Sequence, residues 1–141
     1  MSRILRKFNY DITENRILEI EKKYLSTLPH VGNEILVSIN DWDDFIFTVR
    51  YKTNFYIERL DNYNKDISLN LVELREGLLF QVIKSTTKKD HPWLHQNVFS
   101  EEILEYYPSN VYGSINRYQG LPMKIDDSIC QINYSHIKLY K

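Results

Sequence analysis

The chain has 141 residues, 26% of them charged, which fits one globular domain and argues against a mainly disordered protein. With 18 Lys plus Arg against 19 Asp plus Glu, no overall positive charge attracts nucleic acid, so we do not expect a nucleic-acid partner. The single cysteine excludes an internal disulfide and favours a reducing, cytoplasmic location.

The composition also indicates the kind of source. The chain has no alanine and is rich in Ile, Asn, Tyr and Lys, whose codons are AT-rich, and this bias favours a bacterial or phage gene. Its start lacks the apolar run of a secretory signal, and no window has the roughly 18 apolar residues of a membrane span. We therefore expect a cytoplasmic protein with no membrane partner.

The clearest helix is predicted over residues 11–28. Asp11 and Thr13 are both suitable N-caps, and Pro29 would end the helix. Its apolar residues recur at helical spacing: Ile17, Leu18, Ile20, Tyr24, Leu25 and Leu28. The charged residues between them, including Arg16 and Lys23, are interpreted as a solvated face.

The middle of the chain is predicted to be a series of strands. Strand-like runs rich in β-branched and aromatic residues occur at 34–39, 45–51, 55–60, 67–71 and 78–84. Short polar segments between them suit hairpin turns. Five successive strand signals without an intervening helix favour an antiparallel sheet.

The C-terminal half is predicted to contain one short helix and a long last strand. Ser100 would cap a helix over 101–107, and Pro108 would end it. The last strand covers 129–140, with a bend near Ser135-His136. Together the elements predict a single α+β domain over 1–141, with a mainly antiparallel sheet of about five to seven strands, an N-terminal helix and this short helix.

The acidic aromatic segment Asp41-Trp42-Asp43-Asp44 is the main candidate for a binding site. We interpret it as a polar hairpin turn in which a tryptophan is flanked by three carboxylates. A tryptophan in such a turn is suited to anchor a protein partner, and the carboxylates are suited to a basic surface. Tyr63, in a second segment that mixes acidic and aromatic residues, is included in the predicted partner-binding set.

The polar loop 85–97 holds the alternative candidates, His91 and His95. Their spacing would suit a metal only on a helix, and Pro92 lies between them, so no metal site is predicted. As an acid and base beside Lys88 and Lys89, the two histidines would suit a small metal-independent RNase.

Other constellations carry weaker alternatives. The four glycines form no phosphate-binding motif, so no cofactor is predicted. Tyr112, Arg117, Tyr118 and Lys124 could bind single-stranded RNA, as in an RNA-binding or phage regulatory module. The leading hypothesis is a non-catalytic protein-binding module of bacterial origin, an immunity or inhibitor protein whose partner is a basic toxin or nuclease domain.

Overall fold

The computed structural model describes residues 4–7, 10–26, 34–63, 65–89, 97–108 and 120–141. The chain divides into two compact units, Met1–Glu73 and Leu74–Lys141. Two helices and antiparallel sheets of three and five strands make this an α+β fold, which confirms the predicted fold class. The assignment of 1–141 to a single domain stays a prediction.

The first unit combines both helices with a three-stranded sheet and a separate pair of strands. In chain order the described elements are β1 (Ile4–Lys7), β2 (Tyr10–Thr13), α1 (Glu14–Ile20) with a π-helical turn after it (Glu21–Leu25), β3 (Ile35–Ser38), a 3-10 turn (Ile39–Asp41), α2 (Trp42–Lys52), β4 (Phe55–Tyr63) and β5 (Asp66–Glu73). β1 pairs with β2, and β5 lies between β3 and β4.

Helix α1 begins directly after Thr13, one of the two predicted caps. The Thr13 side chain accepts a hydrogen bond from the backbone N–H of Arg16 at 3.2 Å, as an N-cap threonine does. The other predicted cap, Asp11, belongs to β2 and is paired with Arg6 of β1. The helix is therefore shorter than predicted at its start, because β1 engages the backbone of the preceding residues.

Helix α2 replaces the strand predicted over 45–51, and the acidic residues at its start do not form the predicted hairpin turn. The aromatic and β-branched residues favoured a strand. The charge pattern favours a helix, because Asp43 and Asp44 lie in the first turn and Arg50 and Lys52 in the last, where each sign complements the helix dipole. The strand prediction was wrong because it weighed residue type without this pattern.

The core of the first unit explains why the helix forms. Phe45 and Val49 are four residues apart, so they share one face of α2, and both are completely buried. They join apolar residues of α1, its π-helical turn, β3 and β5 in one cluster: Ile20, Leu25, Val37, Phe45, Val49, Leu69 and Leu71. Burial of this face stabilises the helix more than local propensity opposes it.

The second unit is a five-stranded antiparallel sheet. Its described elements are β6 (Leu79–Val82), β7 (Ile103–Tyr106), β8 (Gly120–Ile125), β9 (Ser128–Asn133), a 3-10 turn (Tyr134–His136) and β10 (Ile137–Leu139). The strand order is β10-β6-β7-β8-β9.

Strand β7 lies in the segment predicted as the short helix 101–107, and that prediction is wrong. Leu104 and Tyr106 are buried, whereas Ile103 and Glu105 are exposed, which is the period of two that a strand shows. The strand also pairs with β6 on one side and with β8 on the other. These pairings supply hydrogen-bond partners for the backbone N–H and C=O groups of β7. They stabilise the strand more than the local residue preferences around Ser100 favour a helix.

The five-stranded sheet is strongly curled. Its edge strands β9 and β10 are joined only by Tyr134–His136. In a flat sheet, the two edge strands would be separated by four inter-strand spacings of ~4.8 Å, or about 19 Å. The chain from Asn133 to Ile137 takes four residue steps and can span at most about 14 Å. The sheet therefore curves toward a barrel, and the bend predicted near Ser135-His136 is confirmed as this 3-10 turn.

The inner face of the curled sheet is filled by apolar side chains. Phe80, Met123 and Ile132 are fully buried. Cys130 is buried with them as a free thiol. Buried His136 contacts the Thr86 hydroxyl through Nδ1, which ties the 3-10 turn to the chain that follows β6.

Replacing Ile20 or Leu25 by Ala should lower the free energy of unfolding by about 2 to 5 kcal/mol, the usual range for truncating a buried large aliphatic residue. Both side chains belong to the core cluster of the first unit. Urea unfolding followed by circular dichroism measures the effect. Leu18, which is 60% exposed on α1, is the matched control and should change by less than about 0.5 kcal/mol. Equal small effects at all three positions would show that α1 is not docked.

Candidate functional site

The acidic aromatic segment lies where the 3-10 turn meets α2. Asp41 is the last residue of the turn and the N-cap position of the helix, and Trp42, Asp43 and Asp44 begin the helix. Ser38 supports the turn, since its hydroxyl accepts a hydrogen bond from the backbone N–H of Asn40 at 3.3 Å. The segment is thus a rigid helix start that presents its side chains in different directions.

The Asp41 carboxylate is buried and fully engaged within the first unit. Its Oδ1 accepts a hydrogen bond from Arg16 Nη2 at 2.5 Å. Its Oδ2 accepts one from the Tyr24 hydroxyl at 2.6 Å and one from Lys23 Nζ at 3.0 Å. Only 12% of the Asp41 side chain is exposed. Three donors from α1 and its π-helical turn therefore replace the water that this carboxylate loses on folding.

Arg16 connects Asp41 to Asp44. Its Nε donates to Asp44 Oδ2 at 2.6 Å, while its Nη1 lies 3.1 Å from Glu19 Oε2. One guanidinium thus serves three carboxylates, and its planar fork of donors suits that role better than a lysine would. Asp41 and Asp44 are therefore neutralised by the protein itself, so two of the three predicted partner-binding carboxylates have a structural role.

The hydrogen bonds shift the ionisation of these groups. The pKa of Asp41 is lowered from 3.8 to about 2, first by the Tyr24 hydroxyl and further by Lys23 and Arg16, against the opposing effect of burial. The pKa of Arg16 is raised, first by Asp44 and then by Asp41. The pKa of Lys23 is raised, first by its hydrogen bond to Asp41. All three groups are charged at neutral pH.

Tyr24 extends the network to the sheet. Its hydroxyl oxygen accepts a hydrogen bond from the backbone N–H of Ser38 at the end of β3, at 3.2 Å. Its ring packs edge to face on Phe45, with centroids 5.6 Å apart and planes at 79°. Tyr24 therefore joins the π-helical turn, β3 and α2 through both its polar tip and its apolar ring.

Trp42 is half-buried in an aromatic stack. Its ring stacks on Phe45, with centroids 5.9 Å apart and planes at 21°. The Arg59 guanidinium of β4 lies over the indole, 5.4 Å from the ring centroid. The contacts with buried Phe45 and with the Arg59 guanidinium restrict the orientation of the indole.

We use the name Trp42 surface for Trp42, the Arg59 side chain that contacts it, and two exposed residues close to it in sequence, Ile39 and Asp43. Ile39 is 51% exposed although it is a large apolar residue, and Asp43 and Arg59 are exposed. Asp43 forms no hydrogen bond or ion pair with the described residues. The Trp42 surface thus combines an ordered aromatic edge with an exposed aliphatic side chain and an accessible carboxylate.

The remaining predicted residues are not brought to this surface by anything the structure describes. The backbone of Tyr63 ends β4 opposite Asp66, and its side chain lies outside the described part of the chain. His91 and His95 of the RNase hypothesis also lie outside the described residues, as do Tyr112, Arg117 and Tyr118 of the RNA-binding hypothesis. The fourth member of that last set, Lys124, lies over the Tyr107 ring at 5.9 Å.

The sequence analysis did not identify the residues that bind Asp41 and contact Trp42. Arg16 and Lys23 were predicted to form a solvated face, and Tyr24 was predicted only as an apolar helix residue. Arg59 was predicted only as part of a strand. Charge complementarity could have indicated them. The first helix carries Arg16 and Lys23, seven residues apart, and Asp41 follows the next strand with no cation near it in sequence to neutralise its carboxylate.

Three comparisons of the chain, with protein-family models, curated proteins and solved structures, gave no match. Within the described ranges, no group of three or more His, Cys, Asp or Glu side chains is arranged to hold a metal ion. Neither helix of the described residues has the length and apolar character needed to cross a bilayer.

The Asp41 network should make folding stability depend on pH in a defined window. A carboxyl group whose pKa is lower in the folded state stabilises the fold above the unfolded pKa and loses that effect as the pH falls through the folded pKa. For Asp41 the window runs from about pH 4 down to about pH 2. The contribution lost should be roughly 2 kcal/mol.

The measurement is the free energy of unfolding of the wild type and Asp41→Asn from pH 6 to pH 2. The wild type should be more stable at pH 6, and its advantage should shrink through this window. Asp43→Asn is the matched control, since Asp43 is exposed and outside the network. A wild-type advantage over Asp41→Asn that stays constant from pH 6 to pH 2 would show that ionised Asp41 does not stabilise the fold.

Proposed function

We propose that this protein is a non-catalytic, cytoplasmic protein-binding module, a bacterial immunity or inhibitor protein that neutralises a toxin by direct binding. The observation that carries the proposal is the orientation of Trp42. Its indole, at the start of α2, is half-exposed, yet it stacks on Phe45 and contacts the Arg59 guanidinium. An aromatic side chain that is ordered before binding loses little conformational entropy on association.

The backbone next to Trp42 is also held by side-chain hydrogen bonds. Asp41, the preceding residue, is tied to Arg16, Lys23 and Tyr24. Binding hot spots are enriched in tryptophan, and they depend on supporting residues that keep the anchor in place. The network around Asp41 therefore supplies the support that a protein-binding anchor requires.

The exposed side chains suggest the chemistry of the partner. Ile39 and Trp42 offer apolar contact area, while Asp43 offers a carboxylate that is not used within the described structure. A complementary surface has an apolar pocket bordered by Lys or Arg. Nuclease toxins carry such cations to bind phosphate, and an inhibitor carboxylate can pair with them.

Replacing Trp42 by Ala should weaken partner binding by about 2 kcal/mol or more, because the variant loses a central aromatic anchor. The partner is first captured from the native strain with the tagged full chain and identified. Surface-based kinetics then compare wild type and variant. Leu18→Ala, an apolar truncation at an exposed site on α1, is the control and should bind as the wild type does.

Replacing Asp43 by Asn should mainly slow association and reduce its dependence on salt, since an exposed charge at the edge of an interface acts through steering. Association rates are measured at two salt concentrations. Glu73→Asn, at an exposed β5 position, is the matched control. Each variant is first shown to melt cooperatively. If folded Trp42→Ala and Asp43→Asn both bind as the wild type does, the Trp42 surface is not the binding site.

A further inference from the structure

The π-helical turn Glu21–Leu25 changes the register of the first helix. Each backbone hydrogen bond in a π-helical turn spans five residues, whereas it spans four in an α-helix. Two residues that are five apart across the turn therefore face the same way as two residues that are four apart in an α-helix. The turn acts as an insertion of one residue.

The core residues of the helix show this insertion. Ile20 and Leu25 are five residues apart, and both belong to the core cluster of the first unit. In a continuous α-helix, Tyr24 would lie four residues after Ile20 and would take the place of Leu25 in that cluster. Leu25 would be rotated away from that place by about 100°.

The same insertion aligns two polar residues. Arg16 and Tyr24 are eight residues apart, which across the turn is equivalent to seven in an α-helix, or about two turns. Both side chains therefore lie on one side of the helix, where Arg16 binds Oδ1 of Asp41 and Tyr24 binds Oδ2. A continuous α-helix would align Lys23 with Arg16 instead.

The Tyr24 hydroxyl connects the two ends of the 3-10 turn Ile39–Asp41. It accepts a hydrogen bond at 3.2 Å from the backbone N–H of Ser38, the residue before the turn. It donates one at 2.6 Å to the carboxylate of Asp41, the last residue of the turn. The first residue of the turn belongs to the Trp42 surface, and Trp42 directly follows the turn. One hydroxyl thus fixes the segment that presents both.

We infer that Tyr24 is a positioning residue for partner binding, and that the π-helical turn is the one-residue insertion that gives it this role. The hydroxyl holds both ends of the 3-10 turn, so Ile39 and Trp42 are ordered before the partner arrives. A segment that is ordered in advance loses less conformational entropy on association. The inference rests on the proposed function, because it assigns Tyr24 to the support of the same surface.

The first test is amide hydrogen exchange of the isotope-labelled full chain, followed by nuclear magnetic resonance without any partner. Tyr24→Phe removes only the hydroxyl, so the Ser38 N–H should exchange about tenfold faster or more. The N–H of Val37, whose residue pairs with Ile67 of β5, should accelerate less. Tyr51→Phe, which removes the hydroxyl of a half-buried tyrosine on α2, is the control and should leave Ser38 exchange unchanged.

Unchanged Ser38 exchange in Tyr24→Phe would overturn the inference. Equal acceleration at Ser38 and Val37 would also overturn it, because it would show that the hydroxyl only stabilises the unit as a whole.

Deletion of Lys22, an exposed residue of the π-helical turn, tests the insertion. The deletion should give a continuous α-helix in which Tyr24 keeps its place, because the residues after the turn are then one position closer to those before it. Ser38 should stay protected from exchange. Deletion of Ile46 from α2 is the control, since a regular α-helix cannot absorb it, and Ser38 protection should be lost. Loss of Ser38 protection on deletion of Lys22 would contradict the insertion.

Surface-based kinetics with the captured partner test the role in binding. Tyr24→Phe should raise the dissociation constant about fivefold, because the anchor is no longer ordered in advance, whereas the chain without Lys22 should bind as the wild type does. Binding that is insensitive to Trp42→Ala would contradict the proposed function, and the positioning role would fall with it. Binding that needs Trp42 but not the Tyr24 hydroxyl would contradict the positioning role alone.

Discussion

The carboxylate of Asp41 is the constraint on which the first unit depends. A carboxylate with 12% of its side chain exposed must replace most of its water by donors, and Arg16, Lys23 and Tyr24 supply them from a single helical segment. Because Asp41 also precedes α2 and Tyr24 also binds Ser38, one polar group sets α1, β3 and α2 relative to one another. The hydrophobic cluster stabilises these elements, but it does not specify their register as directed hydrogen bonds do.

The fold was predictable where one signal governed the segment. The strand-like run at 67–71 and the apolar spacing of the first helix both predicted the correct element, because residue type and the burial of the apolar residues agree there. The helix α2 and the strand β7 were predicted wrongly because the two signals disagree. In α2, strand-forming residue types lie on a helix that Phe45 and Val49 hold on the core. In β7, local helix signals are overridden by pairing with two neighbouring strands.

The candidate site was predictable in its position but not in its organisation. The density of charge around Trp42 could be identified from the sequence, whereas the use of each carboxylate could not. Whether a charge is exposed or paired depends on contacts between residues that are far apart in sequence. Arg16 contacts Asp41, 25 positions away, and Asp44, 28 positions away. No local pattern reports such contacts, so only the fold separates the structural carboxylates from Asp43.

The proposed protein partner fits the environment of Trp42 better than a single-stranded nucleic acid would. A nucleobase binds an aromatic side chain by stacking on its face. The Arg59 guanidinium already lies over the indole, 5.4 Å from its centroid, and the ring stacks on Phe45. A base that stacked on the face covered by Arg59 would have to displace the cation and lose its attraction to the ring. A protein partner can instead pack against the indole edge and Ile39 and pair with Asp43, which leaves the stack intact. The Trp42 surface is therefore better matched to an apolar pocket with a basic border than to a single-stranded nucleic acid.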